Sequence, residues 1–220
     1  MTTREFTDRL EQRARLAGVS IVESVQRQLE EYFRLLAHWN STVNLTALPV
    51  RSPTDEAFDR LLIEPLAASN YIPQSAKIWL DLGSGGGSPA IPLKIARPSI
   101  RLTMVESTAR KAAFLREAAR VLQLSDTTVE NARFEELIPR AEFRQRFDLV
   151  TVRAVRADDS LFSASHALLG RHGRLVMFRS EEGEIPCPDG FRLVDRARLL
   201  GSASSYLVSL EAKFHVEQME

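Results

Sequence analysis

A short apolar segment that runs into a cluster of glycines constrains the fold of this chain most. Ile78–Leu82 is apolar enough for a buried strand, and residues 83–88 then read Gly-Ser-Gly-Gly-Gly-Ser. Glycines at alternate positions let the backbone turn sharply at the end of a strand and approach a ligand closely. Ala90–Arg97 then has the pattern of a helix. A strand, a glycine loop and a helix in this order predict the first unit of a parallel α/β sheet.

Strands and helices alternate along the following residues. Strands are predicted at Arg101–Glu106, Thr127–Glu130, Phe147–Arg153 and Gly173–Phe178, and helices at Ala109–Leu122 and Asp159–Leu169. This alternation predicts an α/β fold with a doubly wound, mostly parallel sheet. Two further strand-like segments, Phe191–Leu200 and Ser205–Phe214, predict a C-terminal antiparallel hairpin around Gly201-Ser202. A parallel sheet closed by such a hairpin is similar to that of class I (Rossmann-like) methyltransferases.

The first third of the chain is predicted to be helical. Residues 5–18 and 22–39 have helical patterns, and in the second of these, apolar residues from Val22 to Trp39 recur every three or four positions. Residues 55–69 form a further helical segment that we expect Pro65 to interrupt. The sequence therefore predicts an N-terminal helical extension over residues 1–70 and a methyltransferase-like core over residues 71–220.

Composition excludes several classes of protein. The 220 residues contain 29 basic and 29 acidic side chains, which argues against binding of nucleic acid by bulk charge, although a local basic face remains possible. No apolar segment approaches the roughly 20 residues that cross a bilayer, and Met1–Leu10 lacks the apolar core of a signal peptide. Cys187 is the single cysteine, so a multi-cysteine zinc site is excluded. We expect a cytoplasmic protein with no membrane association and no metal site.

The glycine loop fits one cofactor better than its competitors. A nicotinamide-binding loop would favour glycine where Ser88 stands, and a phosphate-binding P-loop would need a lysine that is absent. Asp81 followed by Gly83, Gly85 and Gly87 instead fits the loop that holds S-adenosylmethionine. The expected cofactor is therefore S-adenosylmethionine.

Residues after the second and third predicted strands extend this candidate site. Glu106 ends the second strand, where a carboxylate can accept both ribose hydroxyls of an adenosine-containing cofactor. Ser107 and Thr108 would border the adenine. Phe134 follows the third strand and could pack on the purine ring.

Several separated segments match one family. They are Trp39–Thr46 (Trp-Asn-x-x-x-Asn-Leu-Thr), Asp81–Leu93, Val105–Ser107, Arg110–Arg116, Arg133–Glu136 and Val152–Ala154. In this order and spacing, the sequence resembles the 16S ribosomal RNA guanine-N7 methyltransferase G family, also called glucose-inhibited division protein B. The resemblance spans roughly Leu29 to Phe178.

The resemblance implies a function and a set of contacts. It implies transfer of a methyl group from S-adenosylmethionine to guanine N7, with 16S ribosomal RNA or the small ribosomal subunit as partner. It also implies cofactor contacts at Gly83, Ser88, Phe134, Glu135 and Arg153. Arg153 is the candidate catalytic residue as well, because it ends the fourth strand beside the expected position of the methyl group.

Guanine N7 carries an exposed lone pair and no proton, so its methylation needs no general base. Arg153 can therefore orient the substrate without acting as a base, because a guanidinium stays protonated. If the reaction did depend on a base, His38, beside the matched Trp39-Asn40 segment, would be the candidate.

Three departures from the family pattern leave other functions open. Leu61 and Pro65 stand where family members usually have His and Ser, and Arg179-Ser180 replaces a Lys-Gly pair. In the glycine loop, Ser88 and Ala90 stand where a larger apolar residue and a glycine are common. These changes affect the expected RNA face more than the cofactor site. The alternatives are a methyltransferase of the same fold acting on a protein or small molecule, and a non-catalytic RNA-binding module.

Overall fold

The computed structural model describes residues 1–179, 187–200 and 205–214, and its described part contains a seven-stranded sheet. The strands are β1 Ile78–Leu82, β2 Arg101–Val105, β3 Thr127–Glu130, β4 Phe147–Arg153, β5 Leu169–Arg179, β6 Phe191–Arg198 and β7 Tyr206–Ala212. Their order across the sheet is β3-β2-β1-β4-β5-β7-β6. β1 to β5 run parallel, and β7 pairs antiparallel with both β5 and β6. The predicted fold class is confirmed, and the two C-terminal strands pair antiparallel as predicted. The predicted turn at Gly201-Ser202 lies outside the described residues.

The helices lie at α1 Thr3–Leu16, α2 Glu23–Trp39, α3 Asp55–Phe58, α4 Glu64–Ala68, α5 Ala90–Ala96, α6 Ala109–Val121 and α7 Asp159–Leu168. Their ends follow from local chemistry. Thr2 caps α1 by accepting from the Glu5 amide, while the Glu5 carboxylate accepts from the Thr2 amide. The Asp158 side chain caps α7 by accepting from the Leu161 amide.

The strand order reverses at β1, which positions the site. β2 lies on one side of β1 and β4 on the other, so Leu82 is level with both Val105 and Val152. Parallel strands end at the same edge of a sheet, and ligands of doubly wound folds bind at such a reversal. The segments that follow β1, β2 and β4 therefore meet at one carboxyl edge.

The helical extension packs on one face of the sheet. Phe6, Phe33 and Phe58 form a cluster of rings whose centroids are 5.2 to 5.7 Å apart. This cluster is continuous with buried residues of the sheet such as Trp79 and Val176. The first 70 residues thus share a core with the strands, and the domain boundary at residue 70 stays a prediction.

The α-helix is interrupted one turn before Pro65, the position at which the sequence predicted the interruption. Asp59–Ile63 is a turn of π-helix, and Pro65 sits in the first turn of α4, where its missing N–H is tolerated. The Glu64 amide donates to the Asp59 carbonyl, five residues back, and Pro65 has no N–H. The carbonyls of Arg60 and Leu61 therefore lose the partners that a regular α-helix would give them.

Candidate active site

The glycine loop leaves open space at one position. Gly83, Gly85 and Gly87 have φ values of 72°, 51° and 88°, which favour glycine. A Cβ atom at Gly83 would lie 2.9 Å from Val155, and one at Gly87 would lie 2.5 Å from Ile91. At Gly85 the nearest atom would be 3.8 Å away. Gly83 and Gly87 are thus needed for packing, whereas Gly85 keeps a space that a ligand can enter.

The Glu106 carboxylate is fixed beside that space. One oxygen accepts from the Gly85 amide at 2.9 Å, and the other accepts from the Thr108 amide at 2.8 Å. Each carboxylate oxygen can accept a second hydrogen bond, so Glu106 keeps capacity for two hydroxyl donors. Asn131 supports this turn, because its side chain donates to the carbonyls of Glu106 and Ser107 at 2.8 and 3.1 Å.

A first cavity of about 240 Å³ lies at the carboxyl ends of β1 and β2. Gly83, Ser107, Phe134 and Glu135, all predicted site residues, line it together with Val155. Thr108 is not among its lining residues and contributes its amide to Glu106 instead.

A second cavity, also about 240 Å³, lies at the carboxyl ends of β4 and β5. Its lining includes Arg60, Arg153, Val155, Phe178 and Arg179. Val155 lines both cavities, so they adjoin. Together they form a trough along the edge of the sheet.

Arg153 is held by several partners at the wall of the second cavity. Its guanidinium donates to a Glu64 carboxylate oxygen at 2.7 Å, to Ser88 Oγ at 3.2 Å and to the Arg60 carbonyl. It also lies over the ring of Phe178, 4.6 Å from the centroid. Burial lowers the pKa of Arg153, and the charge of Glu64 opposes that shift. The arginine is thus fixed and its charge is balanced.

Ser88 joins the glycine loop to the π turn. Its hydroxyl lies 3.3 Å from the Arg60 carbonyl and 3.0 Å from the Leu61 carbonyl, the two groups that the helix leaves free. The structure therefore gives Ser88 a role within the protein. Its contact with the cofactor stays a prediction.

The helical extension also reaches the loop. The Tyr32 hydroxyl, on α2, donates to the Gly86 carbonyl at 2.8 Å. A Cβ atom at Gly86 would lie 3.0 Å from the Leu45 carbonyl oxygen. Asn40 shapes that segment, because its side-chain oxygen accepts from the amides of Leu45 and Thr46 at 2.8 and 2.9 Å. The Trp39–Thr46 motif thus packs against the glycine loop.

Asp81 is a buried acceptor at the end of β1. Burial raises its pKa to about 6. One oxygen accepts from Thr151 Oγ1, which itself accepts from the Trp79 indole at 2.8 Å. The other oxygen has no partner in the described part of the chain.

These features fit S-adenosylmethionine. Gly85 leaves room for a ligand, Glu106 can accept its ribose hydroxyls, and Phe134 offers an apolar ring to its purine. The unpartnered oxygen of Asp81 suits its positively charged groups. Within the described residues, no cluster of three or more His, Cys, Asp or Glu could hold a metal ion. In the same residues, no helix combines the length and apolar character needed to cross a membrane.

Three supporting residues were not predicted as part of the site. Glu64 carries the strongest sequence signal of the three, since it is the acidic residue of the segment in which Leu61 and Pro65 depart from the family pattern. Tyr32 lies in an apolar helical stripe, where a buried hydroxyl needs a partner. Asn131 directly follows β3, and its position at the end of a strand gives a weaker signal of the same kind.

The strand order and the glycine loop define a class I S-adenosylmethionine-dependent methyltransferase. Solved structures agree on this fold. A chain described as MtNAS in complex with MTA and tNA has a TM-score of 0.55 at 16% identity, covering 97% of this chain and 90% of that one. An S-adenosylmethionine-dependent methyltransferase from Aquifex aeolicus also has a TM-score of 0.55, at 12% identity, covering 70% and 93%.

The chain belongs to the rRNA small subunit methyltransferase G family, whose model matches residues 25–190. Relatives carrying the name ribosomal RNA small subunit methyltransferase G support this membership. The protein from Streptococcus agalactiae is 33% identical over 169 residues, covering 76% of this chain and 70% of the relative. That from Bacillus pumilus is 32% identical over 185 residues, covering 84% and 74%. The family predicted from the sequence is confirmed.

Proposed function

We propose that this protein transfers a methyl group from S-adenosylmethionine to N7 of a guanine in 16S ribosomal RNA. The observation that carries the proposal is the pair of cavities at the sheet edge. The first is lined by Gly83, Ser107 and Phe134, next to the turn that holds Glu106, and the second is walled by Arg153. The names of the relatives favour ribosomal RNA as the substrate.

The chain's own residues have distinct tasks. Bound S-adenosylmethionine supplies a methyl group on a sulfonium, an electrophile that a neutral nitrogen can attack. Glu106 would hold the ribose hydroxyls, and Phe134 and Glu135 would border the adenine. Asp81 would accept from the positively charged end of the cofactor. These contacts align the reactants, and alignment alone can give effective molarities of about 10⁵ M or more.

No general base is needed at this site, because N7 has no proton to lose. Among the described histidines, none lines either cavity of the trough. His38 instead lines cavities on the surface of the helical extension, with Arg34. We therefore propose that the rate of methyl transfer depends on positioning.

Arg153 is proposed as the positioning group for the guanine. Three of its five N–H groups are engaged by Glu64, Ser88 and the Arg60 carbonyl. The other two can donate to a base or cofactor in the trough. These three contacts already fix the guanidinium. Arg153 therefore loses little side-chain entropy when its remaining N–H groups bind the guanine or the cofactor.

The target guanine must be accessible for this reaction. N7 lies in the deep groove of A-form RNA, where side chains hardly reach. The target should therefore lie in a loop or be flipped out of its helix. Since ribosomal RNA is the proposed substrate, we also propose that the protein acts in the cytoplasm, on the small subunit or its RNA.

Transfer of tritium from methyl-labelled S-adenosylmethionine tests the proposal. The substrates are small ribosomal subunits that lack the modification, free 16S ribosomal RNA and a protein extract. We expect label in the RNA, on guanine N7. Label in the protein fraction would instead indicate a methyltransferase with another substrate, and cofactor binding without any transfer would indicate a non-catalytic module.

Two variants of Arg153 refine the test. Arg153→Ala should reduce turnover strongly, and Arg153→Lys should recover little, because a point charge cannot replace the planar guanidinium. At saturating S-adenosylmethionine the rate should be independent of pH between about 7 and 8, as no side chain takes a proton and Asp81, with a pKa of about 6, is ionised there. A fall in rate with a pKa near 6–7 that persists in Asp81→Asn would instead reveal a base.

A further inference from the structure

Two arginines of the second cavity lack the neutralising partner that Arg153 has. Arg60 lies in the π turn and Arg179 ends β5, and both side chains are half-buried at the cavity wall. In the described part of the chain, neither guanidinium takes part in an ion pair or a hydrogen bond. Arg153, by contrast, is paired with Glu64 at 2.7 Å.

Among the described residues, this arrangement leaves positive charge without a compensating carboxylate in a confined space. The positive charge of Arg60 lowers the pKa of Arg153, because the two guanidinium groups lie close enough to repel each other. The nearby Glu64 carboxylate is only 5% exposed and is already used by Arg153. A cavity with two free guanidinium groups attracts an anion, and the planar guanidinium matches the oxygens of a phosphate.

From this geometry we propose that Arg60 and Arg179 bind a backbone phosphate of the RNA substrate next to the target guanine. This inference rests on the proposed function and adds the site that holds the nucleotide. The second cavity adjoins the first through Val155, so a phosphate bound there lies beside the expected position of the cofactor. Phosphate contacts fix the register of a nucleic acid, and here they would set which base reaches the trough.

The backbone groups of Arg60 and Arg179 make contacts that do not involve their side chains. Substitution of the side chains therefore tests the charge alone. The Arg60 carbonyl accepts from Ser88 and Arg153, and the Arg179 main chain pairs with Tyr206 of β7. Arg60→Gln and Arg179→Gln keep these backbone contacts and remove only charge. Arg101→Gln is the matched control, because Arg101 is exposed and begins β2 at the opposite edge of the sheet.

The experiment measures methyl transfer to small ribosomal subunits, cofactor affinity by calorimetry, and the melting temperature of each variant. For each cavity variant we expect KM for the subunit to rise about tenfold, the loss of one charged hydrogen-bonding contact. The dissociation constant for S-adenosylmethionine should stay within about twofold of wild type. The dependence of log affinity for RNA on log salt should become shallower by about 0.7 when both arginines are replaced, because they share one phosphate, and by no more than that for either single variant. Arg101→Gln should change none of these values.

Other results would overturn the inference. If the variants bind S-adenosylmethionine about tenfold more weakly and keep the KM for RNA, the anion at this site is the carboxylate of the cofactor. An unchanged KM and an unchanged salt slope in folded variants would show that the two arginines hold no phosphate. If a glutamine variant melts early, Arg179→Lys, which keeps the charge, must restore the salt slope for the inference to stand. Failure of the wild-type protein to methylate RNA would instead refute the proposed function itself.

Discussion

Replacing Tyr32 by phenylalanine should weaken the attachment of the glycine loop to α2. Tyr32 is fully buried on α2, and its hydroxyl donates to the Gly86 carbonyl at 2.8 Å. The change removes this hydrogen bond and leaves an acceptor facing an apolar ring. A lost neutral hydrogen bond costs about 1 kcal/mol, and an unsatisfied buried acceptor raises the cost toward 2 kcal/mol. We therefore expect the free energy of unfolding to fall by about 1–2 kcal/mol.

The same change should weaken cofactor binding, because Gly86 adjoins the open position at Gly85. The lost free energy of up to about 2 kcal/mol sets an upper limit of about thirtyfold on the rise of the dissociation constant. Urea unfolding with and without S-adenosylmethionine measures both effects, since a ligand that binds the folded state stabilises it by an amount that rises with the logarithm of its affinity.

Tyr71→Phe is the control for this prediction. Tyr71 is half-buried in the same core, and its hydroxyl has no hydrogen bond within the described residues. The control should unfold and bind the cofactor as the wild type does. If Tyr32→Phe matches Tyr71→Phe in both measurements, the extension does not hold the loop, and the reasoning is refuted.

The remaining predictions concern single positions. Gly85→Val should abolish cofactor binding in calorimetry, whereas Gly18→Val, also at positive φ in open space, should only lower stability. Glu64→Gln should lower the free energy of unfolding by about 3 kcal/mol and reduce turnover, because it leaves a buried guanidinium unbalanced. Glu117→Gln, in an exposed pair, should lower the free energy of unfolding far less, and equal losses would contradict the burial argument. Burial raises the pKa of Asp81 to about 6, so the folded state holds this proton more tightly than the unfolded chain. The free energy of unfolding should therefore fall as the pH rises from about 4 to 6, a trend that Asp81→Asn should remove in urea titrations.

Local patterns predicted the fold well, because each strand and helix is encoded within a few consecutive residues. The glycine loop, Glu106 and Phe134 follow β1, β2 and β3, so the parallel topology brings them to one edge of the sheet. The helix interruption at Pro65 was placed one turn late, because the missing N–H of proline also affects the carbonyls before it. The main chain therefore departs from the α-helix before the proline and forms a π turn over Asp59–Ile63.

Contacts between distant residues lay beyond sequence reasoning. Arg153 was identified as a strand-end group, but its partner Glu64 is 89 positions earlier in the chain. Tyr32 and Gly86 are 54 positions apart. Such pairs depend on how the helical extension lies on the sheet, which propensity and periodicity do not fix. The roles of Ser88 and Arg153 toward the cofactor stay predictions for the same reason.

The π turn makes this site sensitive to chain length. A π turn holds one residue more than the corresponding α-helical turn, and here that extra residue, together with the missing N–H of Pro65, frees the carbonyls that anchor Ser88 and Arg153. Deleting one residue within Asp59–Ile63 would return the helix to its regular repeat and turn the following side chains by about 100°. Homologous chains that align across this segment without a gap can therefore keep the anchor despite different side chains, whereas a single-residue gap would mark a rebuilt active site.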